Sequence, residues 1–161
     1  MRAFLFSLIF TCFLFPTIAQ DATTIFLVRH AEKVDSSRDP ELSLQGKARA
    51  VRLMELLSET GIDRIYSTDY IRTRDTAKPL AEKLDLFIES YRPFEEQLVE
   101  TLTQKLDGKQ ILVVGHSNTI PDLVNKLIDE EVYQQLADDA YSNLFVVTLI
   151  DGKATHYVLT F

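Results

Sequence analysis

The chain has little of what several kinds of chemistry require. Its 161 residues include one cysteine, Cys12, no tryptophan and three histidines. Cys12 falls in an apolar leader, so the rest of the chain carries no thiol. Disulfide staples and a cysteine nucleophile are excluded there. No Cys pair and no His-x-x-x-His occurs, so no local metal pattern is present. No G-x-S-x-G occurs either, which removes the usual sign of a serine hydrolase. Basic residues are in the minority, 17 against 24 acidic ones, for a net charge of −7. That balance argues against nucleic acid as a general partner. It leaves room for a small local cationic pocket.

The one long apolar run is at the start. In "MRAFLFSLIFTCFLFPTIAQ", Arg2 precedes a nearly apolar stretch from Ala3 to Phe15. Pro16 breaks the run, and Thr17-Ile18-Ala19 offers small residues where a signal peptidase cleaves. The run is shorter than the ~20 residues that span a bilayer. We read residues 1–19 as a cleaved signal peptide and 20–161 as one domain. The protein is expected to be exported, periplasmic or extracellular, with no stable membrane insertion after cleavage.

Past the leader, strand-like and helix-like runs alternate without repeat or linker. "TIFLV" (24–28) and "QILVV" (110–114) are continuously apolar, as strands buried on both faces are. "DRIYS" (63–67) and "LFIES" (86–90) read as shorter strands. Ser43 is placed to cap a helix that Gly61 ends. Thr68 or Asp69 is placed to cap the next, within which Pro79 suggests a kink or a second start. Pro93 is expected to open a third helix, and Pro121 suits the first turn of a fourth. "NLFVVTLI-DGK-ATHYVLTF" reads as a closing hairpin. Alternation of this kind predicts a three-layer α/β/α sandwich: a mostly parallel central sheet with an antiparallel strand near the C-terminus. Ligands in such folds bind beyond the carboxyl ends of the strands.

Two of those ends carry histidine, in "VRH" (Val28–His30) and "GHS" (Gly115–Ser117). Arg29 beside His30 would repel a metal cation but suits a phosphate, whose oxygens accept paired bonds from a guanidinium. A neutral imidazole can attack phosphorus and carry the phosphoryl group covalently. Arg72, early in the helix after "DRIYS", supplies a further cation on the same rim. Gly115 leaves room for a ligand to approach closely.

Three motifs together resemble the histidine phosphatase superfamily, the phosphoglycerate mutase-like proteins, and in particular its small exported bacterial members. "VRHAE" resembles the superfamily's R-H-G/A element. "YSTDYIRTRDTA" resembles its S-S-x-x-x-R-x-x-x-T-A segment, and "VVGHS" resembles its G-H-[GS] element. The order and spacing agree from about Thr24 to Phe161. The resemblance implies a phosphoglycerate mutase-like fold and a phosphomonoesterase that uses no metal or other cofactor. His30 would become phosphohistidine, and Arg29, Arg72 and His116 would cradle the phosphoryl oxygens. The substrate would be a phosphorylated small molecule or a phosphorylated envelope component.

One part of the pattern is absent. Larger members carry a proton-donating Glu in an insertion after the third strand, or an Asp after the second histidine. Here Ser117 follows His116, and "SYRPFEEQ" leads directly into a helix. Glu95 or Glu96 can fill the role, with Glu32 a weaker candidate. The short connection predicts an open cleft and a preference for good leaving groups. A phosphate-ligand binding protein with a degenerate site is the alternative, and a phosphomutase, which needs a closed pocket, ranks behind it. Ser36 and Ser37 read as turn formers, Asn118 as a helix cap and His156 as an ordinary strand residue.

Overall fold

A computed structural model describes residues 22–106 and 108–161. The segment read as a signal peptide lies outside the described residues. In chain order the elements are β1 (Thr23–Arg29), α1 (Leu44–Leu57), β2 (Arg64–Ser67), α2 (Ile71–Leu84), β3 (Ile88–Ser90), α3 (Glu96–Gln104), β4 (Gln110–Gly115), α4 (Thr119–Ile128), β5 (Asn143–Ile150) and β6 (Lys153–Thr160). They form one six-stranded sheet of order β3-β2-β4-β1-β5-β6. β1, β2, β3 and β4 run parallel, while β5 is antiparallel to both β1 and β6. The expected architecture is the observed one.

The continuous apolar runs are explained by burial on both faces. Ile25 and Leu27 point into one core layer with Ile111, Val113 and residues of α3 and α4. Val28 points into the other with Leu112, Val114 and residues of α1 and α2. Period-two alternation thus feeds two cores from one strand. It also decides where the strand ends point. Arg29 continues the Ile25–Leu27 row toward α4. His30 continues the Val28 row toward α2.

Local departures from expectation have physical causes. Ser43 caps α1 as predicted, accepting from Gly46 N–H, but the helix ends at Leu57 and Gly61 serves in the following turn at φ 77°. Neither Thr68 nor Asp69 caps α2; Tyr70 holds the cap position without a side-chain bond. The acceptor for Ile71 N–H is the carboxylate of Asp39, from a different loop. α2 runs through Pro79 unbroken. Pro79 has no N–H, so the carbonyl of Asp75 one turn back lacks that donor. The third helix begins at Glu96, not Pro93, because Phe94 takes a left-handed φ of 66°. Asp151 and Gly152, both at positive φ, make the tight turn of the closing hairpin.

Candidate active site

The β1–β4 ladder builds the site. Val28 pairs with Val114 and Arg29 with Gly115. One step further along both strands come His30 and His116. His30 N–H donates to the Gly115 carbonyl (2.9 Å), which locks the strand end. The two imidazoles meet edge to face with centroids 5.6 Å apart. β2 neighbours β4, so Thr68 arrives beside His116. Its Oγ1 lies 2.9 Å from His116 Nε2. α2 then returns Arg72, whose Nη2 is 3.5 Å from His116 Nδ1. Arg29, His30, Arg72 and His116 are therefore brought to one pocket, as the motifs predicted.

Hydrogen bonding assigns the ring protons. His30 Nδ1 is 2.8 Å from the Ala31 carbonyl, which can only accept. Nδ1 therefore carries the hydrogen, and Nε2 keeps its lone pair. His116 is the reverse: a guanidinium can only donate, so Nδ1 accepts from Arg72 and Nε2–H donates to Thr68. Burial, then the charges of Arg29 and Arg72, pushes His30 down to about 3, against the favourable Ala31 bond. The same causes, burial first and then Arg72 and Arg29, push His116 down to about 4, with Asp39 opposing. Both rings are neutral at physiological pH.

Arg29 is almost fully buried. Its Nη1 donates to the carbonyls of Ala137 (2.8 Å), Asp138 (3.0 Å) and Ala140 (3.4 Å), and its guanidinium stacks on Tyr141 at 4.2 Å. Its Nε is buried without an acceptor. A buried N–H in that condition is costly unless a ligand oxygen meets it. Arg72 stacks on Tyr70 at 4.3 Å and pairs with Asp39 at 3.3 Å.

Several of these residues escaped the sequence reading. Thr76 lies four positions after Arg72, one helical turn. Its Oγ1 accepts from Ala31 N–H (2.9 Å) and donates to the Arg72 carbonyl (2.7 Å), tying the end of β1 to α2. The spacing was visible in the motif; the tie across to β1 was not. Tyr141 and Asp39 belong to no motif, and only the fold brings them in. The segment between α4 and β5 takes the Arg29 guanidinium and sets Tyr141 6.1 Å from His30, centroid to centroid. Gly115 has a different use from the one expected. A Cβ there would meet Tyr91 Oη at 2.6 Å and Thr119 Oγ1 at 2.8 Å, so the glycine admits protein atoms rather than ligand.

The carboxylates fall elsewhere. Glu95 holds the cap position of α3 and pairs with Arg92 at 3.6 Å. It lines a cavity of about 520 Å³ with Tyr66, Asp69 and Tyr91, which does not include either pocket histidine. Glu96 is exposed on the first turn of α3. Neither is brought to His30. Glu32 is gripped by Arg49 (2.7 Å). Burial alone would raise its pKa, and the Arg49 bonds outweigh that and hold it below the ordinary carboxylate range. Among the described residues, no group of three or more His, Cys, Asp or Glu is arranged to hold a metal, and no helix is long and apolar enough to cross a membrane.

Residues 25–97 match the family model of the histidine phosphatase superfamily (branch 1). This is the histidine phosphatase fold. The protein histidine phosphatase SixA, solved with tungstate, superposes with a TM-score of 0.67 at 19% identity, covering 85% of this chain and 96% of that one. Phosphoserine phosphatase from Entamoeba histolytica, in complex with 3-phosphoglyceric acid, gives 0.66 at 18% identity, covering 86% and 97%. In sequence, the 8-oxo-(d)GTP phosphatase of Mycolicibacterium smegmatis is 24% identical over 151 residues. That match takes in 83% of this chain, which spans about half (46%) of the relative's length. The chain thus shares the fold of these histidine phosphatases, and the family model matches its segment from β1 into α3.

Proposed function

We propose that this protein is a phosphomonoester hydrolase working through phosphohistidine on His30. One observation carries the reading. His30 Nε2 is an unprotonated, unbonded nucleophile beside Arg29, whose buried Nε lacks an acceptor. A phosphoryl group placed there meets Arg29, Arg72 and His116. In the first step His30 Nε2 bonds to phosphorus as the ester P–O bond breaks, and the departing oxygen takes a proton from solvent. In the second step water attacks, the P–N bond breaks, inorganic phosphate leaves and a proton returns to solvent. Charge on the transferring group is greatest between the two arginines, where complementarity lowers the barrier.

Glu95 and Glu96 remain proposals as proton donors, and their positions on α3 argue for little help to the leaving oxygen. Esters with good leaving groups are then the better substrates. The relatives named above act on chemically different phosphorylated molecules. We take the substrate class here as a phosphorylated small molecule or a phosphorylated component of the cell envelope. Export rests on the sequence of residues 1–19. N-terminal sequencing of protein recovered outside the cytoplasm should begin at about Gln20, and an intact Met1 would contradict cleavage.

A second reading, a phosphate-binding protein without useful turnover, is favoured by the places of Glu95, paired with Arg92, and Glu32, paired with Arg49. Hydrolysis of p-nitrophenyl phosphate by the wild type and His30→Ala separates the two. Turnover is expected to fall by at least about a thousandfold in His30→Ala. Equal rates in the two proteins would refute the hydrolase.

A further inference from the structure

Asp39 takes no part in the reaction written above, yet it touches the pocket. One carboxylate oxygen, Oδ1, accepts from Ile71 N–H (3.0 Å) and from Arg72 Nη1 (3.3 Å). It reaches across from the loop between β1 and α1 to the first turn of α2. Its side chain is 37% exposed, against 14% for Arg72, so the carboxylate stands outside the guanidinium, on the rim. A helix N-terminus favours an anion through its free N–H groups and dipole. Asp39 already occupies that place at α2. Its charge also reaches His116, where it opposes the arginines.

The other arginine has a similar surround. The carbonyls that take Arg29 Nη1 belong to the segment carrying Asp138 and Asp139, both exposed, and their charges act on Arg29. Each arginine thus has carboxylates near it, Asp39 at Arg72 and Asp138 and Asp139 around Arg29. A phosphoryl group held by the two arginines leaves a second, attached phosphoryl group to meet that negative charge.

We propose that Asp39 determines specificity at this site: it positions Arg72 and turns away ligands that carry a second negative charge beside the phosphoryl group. The inference rests on reading the pocket as a phosphoryl site. The class admitted is the phosphomonoester with a neutral or cationic leaving group. Diphosphates and longer polyphosphates are disfavoured.

Equilibrium binding tests this without turnover. Inorganic phosphate and methylenediphosphonate, which cannot be hydrolysed, would be titrated by calorimetry into the purified wild type, Asp39→Asn and Asp39→Ala at fixed ionic strength. The wild type should prefer phosphate. Asp39→Asn keeps an oxygen for Ile71 and Arg72 but removes the charge. Its preference should shift about tenfold toward the diphosphonate. Asp39→Ala loses both acceptor bonds, and its phosphate affinity should fall at least about fivefold. An unchanged preference in Asp39→Asn would overturn the charge filter. Wild-type phosphate affinity in Asp39→Ala would overturn the positioning role. If neither variant folds, the wild-type preference should shrink as salt is raised, and a salt-independent preference would overturn the filter. A wild type that binds neither anion would sink the phosphoryl-site reading itself, and this inference with it. Binding with normal discrimination but no hydrolysis would sink only the enzyme.

Discussion

His30 and His116 are neighbours with opposite tautomers, and that difference divides their work. His30 spends Nδ1–H on the Ala31 carbonyl and keeps a bare Nε2. His116 spends both nitrogens on Thr68 and Arg72. On the proposed mechanism only His30 has a ring nitrogen left for phosphorus. The motifs named both residues but could not order their protons, because the partners come from β2, α2 and a backbone carbonyl. Their shared environment gives a pH prediction. Folded pKa values of about 3 for His30 and about 4 for His116 lie below the ordinary 6.5. On acidification the unfolded chain takes up these protons first, so the folded state is disfavoured as pH falls. The stability involved is fully present above about pH 6.5 and is lost progressively toward pH 3–4, at about 1.4 kcal/mol per pH unit for each proton. NMR titration of the imidazole C–H signals should find both rings neutral at pH 5.5. Midpoints near 6.5 would contradict the buried, cation-flanked site.

Elements position the site through a few close contacts. β1 and β4 were legible because their apolar runs are long and both faces are buried. β3 shrank to three residues, and Phe94 delayed α3, because an edge strand and a left-handed residue leave no periodic trace. The cap of α2 was illegible for another reason: Asp39 supplies it from far along the chain. α1 offers a sharper test. A Cβ at Gly46 would collide with the Glu32 carbonyl oxygen and stand 3.0 Å from its nitrogen, both backbone atoms. Alanine usually gains about 0.5–1 kcal/mol over glycine in a helix. Here the clash should win, because Glu32 is two residues past His30 and cannot yield without moving the strand end. Gly46→Ala is expected to destabilise by about 1–3 kcal/mol in urea denaturation and to lower turnover with it. A more stable, fully active variant would show that α1 and the nucleophile loop are not tightly packed.

Across the whole molecule, one sheet sorts its two faces and then gathers the leftovers at one edge. Arg29 and His30 follow the two rows, and past the end of β1 both come to lie near Tyr141. The three short motifs named Arg29, His30, Arg72 and His116, which the fold brings near one another because each lies at a strand's carboxyl end or in the first turn of a helix. Tyr141, Thr76 and Asp39 depended on which loops the sheet order brings together, and no local pattern encodes that order. The sequence's net charge of −7 sets these arginines in a field that weakly repels polyanions. The central claim is covalent transfer to His30, and trapping the intermediate tests it most directly. Brief reaction with a radiolabelled aryl phosphate, followed by alkaline denaturation, should leave label on the wild type that acid releases and base does not. Peptide mapping should place it on His30, with none on His30→Ala. Steady turnover with no trapped label, or label retained by His30→Ala, would contradict the account.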